Sequence, residues 1–377
     1  MVPIFLTGLS KLDKYLVMNF LDINQVKKIH IEHTSKCNLL CPQCARVFDG
    51  KVAPSLELDE LTVDDYKSLF TEEFVPQIDK VWWCGNFGDP IASNTFMDSA
   101  KFLKSAGIPH LEINTNGSAR SKDWWQELAG VIDRCVFSID GLKDTNHVYR
   151  VNSNWNKIIE NVKSYIDAGG TAHWDYLIFD HNVDQLAEAK NLATDLGFQS
   201  MSFKNTSRFV TTDKIKQAFT QVKTKKKNYS ISSENNPNKT RYEQIVDEYG
   251  SFENYVDVTD ISCKYKNNKV MYIDYKFKVW PCCWLGAPTY FHGDKNIQKK
   301  QIRKLESRFE KDFNSLRKHD LKTIFNHDWF ANSLADSWNN TMADEKNPKL
   351  FTCGRTCGTS FEFSSVGNSN ETSFRLN

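Results

Sequence analysis

The chain has 377 residues, room for two domains or for one barrel with an appendage, and its composition is that of a folded protein. Lys and Arg number 48 against 47 Asp and Glu, a formal charge of +1, so nothing in the balance points to nucleic acid or an anionic membrane as partner. The opening residues 1 to 21 are interrupted by Lys11, Asp13 and Lys14, short of the roughly 20 apolar residues that cross a bilayer, and lack the layout of a signal peptide. The expectation is a soluble, cytoplasmic protein whose ten cysteines stay reduced and serve as ligands, not as a disulfide framework.

From residue 29 to 205, short apolar runs alternate with amphipathic stretches, the pattern of β/α units around a parallel sheet. The first strand, 29 to 34, runs into Cys37-x3-Cys41-x2-Cys44, three thiols on one loop. The second, 80 to 84, runs into Gly85-Asn86-Phe87-Gly88-Asp89-Pro90, and a helix follows over 94 to 105. The third, 110 to 114, ends in Asn114-Thr115-Asn116-Gly117 ahead of a helix over 122 to 129. The fourth, 134 to 139, ends in Ser138-Ile139-Asp140-Gly141, with Arg150 and a helix over 155 to 168 behind it. The fifth, 172 to 179, precedes a helix over 183 to 196 that Gly197 terminates, and the sixth spans 200 to 204. Six units give an α/β fold with a partial barrel, and its motifs fall beyond the carboxyl ends of the strands, where such folds place their sites.

Residues 206 to 255 read as a polar connector, with a solvated basic run at Lys223, Lys225, Lys226 and Lys227 and a turn-rich stretch at 232 to 238. A hairpin over 270 to 273 and 276 to 279 and a charged helix over 299 to 316 belong to a smaller C-terminal α+β domain. The tail from 364 reads as flexible. Cys263, Cys282, Cys353 and Cys357 form a second ligand group, with Cys283 competing with Cys282. Cys84 and Cys135 lie in predicted strands and read as small buried apolar residues, and Trp82 and Trp83 as core. Asp175, Lys204, Asn205 and Arg208 stand where later strands meet a substrate, although alternation sends only about half of them inward.

The triad and the segments after it resemble the radical S-adenosylmethionine (SAM) superfamily. That resemblance implies a 4Fe-4S cluster on Cys37, Cys41 and Cys44 whose open iron binds SAM and cleaves it to a 5'-deoxyadenosyl radical. Gly88-Asp89-Pro90 resembles the end of the family's Gly-Gly-Glu-Pro motif, where backbone and carboxylate receive the SAM ammonium; Asp89 replaces Glu and Phe87 the first Gly. By the same resemblance Ser138 and Arg150 contact the SAM carboxylate or ribose, Asn116 and Asp140 shape the pocket floor, and Leu177, Ile178 and Phe179 are candidates to wall the adenine. The C-terminal cysteines resemble the twitch domain, a shortened SPASM extension with one auxiliary 4Fe-4S cluster on Cys263, Cys282, Cys353 and Cys357. The Lys278-Val279-Trp280-Pro281-Cys282 approach matches that family, with Phe277 in place of a usual glycine.

The expected layout is an N-terminal extension (1–28), the radical SAM partial (β/α)6 barrel (29–205), the connector (206–255), the twitch-like domain (256–362) and the tail (363–377). The expected activity is radical oxidation of a small molecule, with an external one-electron reductant such as flavodoxin or ferredoxin and no nucleic-acid or membrane partner. Two alternatives stand beside it: a peptide- or protein-modifying enzyme that forms a cross-link or oxidised residue, and a non-enzymatic iron-sulfur or zinc protein.

Overall fold

The computed structural model describes residues 20–205, 220–223, 228–232, 237–359 and 371–376. Most of the expected N-terminal extension, Arg208, Lys225 to Lys227 and most of the tail lie outside the described residues. No described helix is long and apolar enough to cross a membrane.

All six expected strands form: β1 (Lys28–Ile31), β2 (Lys80–Trp83), β3 (Leu111–Thr115), β4 (Arg134–Ser138), β5 (Ala172–Ile178) and β6 (Ser200–Asn205). They pair in chain order and in parallel, the arrangement of a partial (β/α)6 barrel. Their buried side chains are mostly β-branched or aromatic, as strands covered on both faces require, with Trp83, Phe137, Trp174 and Tyr176 wholly or almost wholly enclosed.

Helices cross back between the strands and bury one face each. The helix α1 (Val63–Leu69) starts at Thr62, whose hydroxyl caps Asp65 while Asp65 caps Thr62 in return. The helices α2 (Phe96–Ser105), α3 (Lys122–Ala129), α4 (Trp155–Asp167) and α5 (Leu186–Asp195) fall within the expected ranges. Ser121 caps α3 and Asn154 caps α4 through side-chain oxygens. Gly197, at φ +84°, lets the chain leave α5 in the left-handed region.

The strands beyond residue 269 join the barrel sheet, while 220–223 and 228–231 pair antiparallel as a two-stranded sheet of their own. After α6 (Pro237–Tyr249) and α7 (Phe252–Val258), which fill part of the expected connector, β7 (Val270–Ile273) lies parallel to β1, register Lys28 to Val270. β8 (Val279–Trp280) pairs antiparallel with β7. The expected strand over 276 to 279 is instead mostly turn. Phe277 adopts φ +61°, the conformation a glycine takes freely. Asp274 compensates: its carbonyl accepts from Phe277 N–H at 2.9 Å, and its Oδ1 accepts from Lys276 N–H at 2.9 Å and Lys278 N–H at 3.0 Å. The Phe277 ring is buried in the core, so packing offsets the strained backbone.

The charged helix is α8 (Ile297–Phe309), shorter than expected, and α9 (Phe351–Cys357) carries the last two cysteines. The tail, read as flexible, contains β9 (Glu371–Arg375), antiparallel to β6 with Ser373 Oγ 2.8 Å from Ser202 Oγ. Its alternation, polar Glu371, Ser373 and Arg375 against Phe374 on Phe203, pairs the edge strand and extends the core. The sheet thus has nine strands in the order β8-β7-β1-β2-β3-β4-β5-β6-β9.

Trp174 tests this core. Its ring is fully enclosed and its Nε1–H donates to Ile139 O at 2.8 Å. Trp174→Ala should cost about 3–5 kcal/mol in urea unfolding, and Trp174→Phe distinctly less; equal losses would show that the ring's volume is not what the core needs.

Candidate active site

The cysteine loop and the loop after β2 are interlocked before either meets a ligand. A Cβ on Gly88 would lie 1.8 Å from Thr34 O, and one on Gly85 would lie 2.1 Å from Gly88 O, so neither position admits a side chain. Asp89 N–H donates to Lys36 O at 2.8 Å across the same crossing. Glu32, one residue beyond β1, accepts from Phe87 N–H at 2.6 Å, Gly88 N–H at 3.4 Å, Asn86 Nδ2 at 3.2 Å and Tyr272 O–H at 2.5 Å. A single buried carboxylate therefore holds the loop after β2 to β1 and to β7.

Beyond this crossing opens a cavity of about 250 Å³ at the carboxyl ends of the strands. Its lining includes Cys37, Cys41, Cys44, Gly88, Asp89, Asn116, Ser138, Asp140 and Arg150. The structure thus brings together residues spread over more than a hundred positions of chain. Burial, with Asp89 adding to it, pushes the Cys37 thiol up to about 12. A neutral thiol in that place becomes a thiolate only beside a cation, which suits an iron ligand. Leu39 N–H at 3.4 Å and Asn116 Nδ2 at 3.8 Å point at Cys37 Sγ as donors to a charged sulfur.

Three of the expected site residues are placed differently from the rest. Asp89 was expected to offer its carboxylate to a SAM ammonium, but here it is saturated by the protein. It accepts from Ile91 N–H and Thr115 Oγ1 on one oxygen and from Asn116 N–H and Asn116 Nδ2 on the other, at 2.6 to 3.2 Å. One methylene shorter than Glu, the side chain reaches the end of β3 and pins it to the loop after β2. The second is Ile178. Alternation along β5 turns Leu177 into the cavity wall and packs Ile178 against the main core. Pro90 is also absent from the lining; it is buried at the first position of a single helical turn.

Asp140 is fully buried and orients Arg150, accepting from its Nε at 2.6 Å and from Leu177 N–H at 2.8 Å. Burial works against the charge of Arg150, but Asp140 beside it outweighs that and the guanidinium stays cationic. Ser138 lines the same wall. The cavity lining thus carries a fixed cation and a hydroxyl as well as the three thiols.

A second cavity, about 340 Å³, continues down the barrel and shares Asn114, Asp175 and Lys204 with the first. Lys204 Nζ lies 2.8 Å from Asp175 Oδ2, and His173 Nε2 lies 3.0 Å from Asp175 Oδ1. Asn205 lines neither cavity. A larger cavity of about 500 Å³ beside α8 contains no cysteine and lies apart from these residues.

The C-terminal cysteines also gather. Cys263 and Cys357 share a hydrogen bond that raises the Cys263 thiol and lowers that of Cys357 to about 7. Burial raises the Cys282 thiol, with Cys283, Cys353 and Cys357 adding to it, and Cys353 and Cys357 sit one turn apart on α9. Cys283 turns away, its Sγ 3.1 Å from Tyr265 Oη. Cys282, in turn, is the member of this pair that acts on Cys263. Among the described residues no group of three or more Cys, His, Asp or Glu side chains is gathered for a single metal ion. Cluster ligands stand farther apart than single-ion ligands, because each thiolate meets a different iron.

Sequence reasoning missed Glu32, which carries no motif, and the cavity position of Cys84, which lies just past the end of β2 and not within it. Cys135 and Trp83 are core as expected.

Residues 31–193 match the family model described as Radical SAM superfamily. The tungsten-containing aldehyde ferredoxin oxidoreductase cofactor-modifying protein of Pyrococcus furiosus is 25% identical over 189 residues, 48% of this chain and 51% of its own. The chain thus matches only about half the length of that curated relative. Among solved structures, Streptococcus suis SuiB bound to precursor peptide SuiA superposes with a TM-score of 0.54 at 14% identity, covering 91% of this chain and 73% of SuiB. Histidine-tagged anSMEcpe with bound AdoMet gives 0.52 at 13%, covering 88% and 86%. At such identities the likeness is one of fold.

Burial holds the Glu32 carboxyl up at about 7 against an ordinary 4.5, with its hydrogen bonds from Tyr272, Phe87 and Asn86 opposing. A carboxyl raised in the folded state contributes stability that is full below the unfolded value and lost as pH climbs to the folded one. Relative to Glu32→Gln, the wild type should therefore lose roughly 2–3 kcal/mol between about pH 5 and about pH 8, read from urea melts. Parallel profiles would show that Glu32 does not titrate there.

Proposed function

We propose that the protein is a radical SAM oxidoreductase with two iron-sulfur centres. Cys37, Cys41 and Cys44 would hold a 4Fe-4S cluster with one open iron, and Cys263, Cys282, Cys353 and Cys357 an auxiliary one. When bound, the first supplies reductive cleavage of SAM to a 5'-deoxyadenosyl radical, and the second a one-electron acceptor. The observation that carries the reading is the shared cavity, which three thiols line together with Ser138 and with Arg150, held by Asp140.

The chain's own residues do the rest. Arg150 and Ser138 offer a cation and a hydroxyl to the carboxylate or ribose of SAM. With Asp89 saturated, the backbone of residues 85 to 88 is left to meet the ammonium. Gly85 and Gly88 allow that close approach. Leu177 gives an apolar surface for the adenine. Substrate reaches the cavity from the barrel interior, where Asp175 and Lys204 present opposite charges at the junction of the two cavities.

The preferred substrate is a small molecule that undergoes dehydrogenation. A peptide or protein substrate is the second reading, favoured by the fold shared with SuiB, whose structure holds a precursor peptide. An external one-electron donor, of the flavodoxin or ferredoxin kind, supplies the first electron, which each substrate oxidation then returns.

Anaerobically purified protein should carry about eight irons per chain, and Cys357→Ala about four. The Cys357→Ala protein should still release deoxyadenosine from SAM with dithionite, whereas Cys41→Ala should release none. With substrate, oxidised product should form without reductant beyond the first electron. About four irons in the wild type would remove the auxiliary centre, and a need for stoichiometric reductant would remove the oxidation.

A further inference from the structure

Between the cavity and the C-terminal cysteines lies a line of buried polar groups that the foregoing chemistry leaves unused. Cys84 faces the cavity, and His30, behind it on β1, is 5% exposed. His30 Nε2 is 2.7 Å from Cys84 O, and its Nδ1 is 3.4 Å from Tyr265 Oη. Tyr265 Oη is in turn 3.1 Å from Cys283 Sγ, and Cys283 is the chain neighbour of Cys282.

The directions follow from the acceptors. A carbonyl only accepts, so His30 carries its proton on Nε2, and Nδ1 accepts from the Tyr265 hydroxyl. The tyrosine oxygen is then free to accept from the Cys283 thiol. Burial lowers the imidazole to about 4, which keeps it neutral in this role. Stacking of His30 on Trp82 at 4.9 Å and packing against Tyr272 at 4.9 Å fix the ring. Cys283 is also the first of the ionisable groups acting on Cys84, so the two thiols approach across the same interface.

We propose that Cys84, His30, Tyr265 and Cys283 form the electron route from the reaction cavity to the C-terminal cysteine group. The proposal rests on the auxiliary-cluster reading. Hydrogen abstraction leaves an unpaired electron on a substrate carbon. Closing that valence as a double bond releases one proton and one electron. The proton goes to the Asp175 carboxylate, which faces the cavity between His173 and Lys204. The electron passes from Cys84 through His30 and Tyr265 to Cys283, and is accepted by the iron-sulfur cluster on Cys282 and its three partners. Tyr265 and His30 are positioning residues, since neither lines the cavity.

The test needs no substrate. Full-length protein with both clusters is reduced with dithionite, freed of excess reductant and mixed with SAM, while deoxyadenosine and the electron paramagnetic resonance signal of the auxiliary cluster are followed. In the wild type one deoxyadenosine should form rapidly and a second as the auxiliary signal decays, the electron running the route in reverse. In Tyr265→Phe, which keeps the ring and loses only the hydroxyl, the first should be unchanged and the signal decay slowed roughly tenfold or more. Cys84→Ala should slow the decay likewise. Iron content and the potential of the auxiliary cluster, matched to wild type, exclude a folding defect. Equal decay in wild type and both variants would overturn the route, as would a wild-type signal that never decays. A wild type with no second cluster would instead overturn the reading beneath it.

Discussion

The contact at Gly88 governs the rest of the site. Its backbone is pressed onto Thr34 O so closely that no side chain fits, and Glu32 receives the amides on either side of Phe87 and Gly88. Through this crossing the loop that carries the cysteines and the loop that follows β2 share one position in space. Everything that depends on the relation between thiols and cavity wall, including the Arg150 and Ser138 side, inherits its geometry from there. Asp89 extends the same restraint to the end of β3 by giving both oxygens to Thr115, Asn116 and Ile91. A short acid is thereby used to tie β3 to the loop after β2.

Glu32 also explains why the two halves of the chain act on each other. Tyr272 on β7 accepts from Asn86 Nδ2 at 3.1 Å and donates to the carboxyl group that holds the loop after β2, so the C-terminal half reaches the cavity lining through its hydroxyl. Tyr265 and Cys283 approach the same region from the other side of β1. The cavity in one half and the cysteine group in the other are consequently joined through packed aromatic and polar side chains.

The strands and their loops were legible because each motif follows an apolar run that must be buried, and the parallel order of β1 to β6 follows from the alternation with helices. Cys37, Cys41 and Cys44 were legible from spacing alone. Ile178 was not separable from Leu177, because a run of apolar residues hides which face of a strand each one takes. Asp89 was misread because sequence shows the acid and not what already occupies its oxygens. Phe277 shows the reverse: a residue that local propensity excludes from a left-handed turn is held there by Asp274 and by burial of its ring. The strand at 371 to 375 escaped notice since its polar, alternating residues look like solvent-facing tail until β6 offers an unpaired edge.

The continuity of the nine-stranded sheet has a consequence for how the molecule comes apart. With β7 hydrogen-bonded alongside β1, the expected boundary between barrel and C-terminal domain is spanned by a ladder, and separating the halves would expose the inner edge of β1. Such halves melt together, as one cooperative unit. A chain cut within the connector would yield not two domains but a barrel with an open seam, and damage to the C-terminal core would be felt at the cavity that Cys37, Cys41 and Cys44 line.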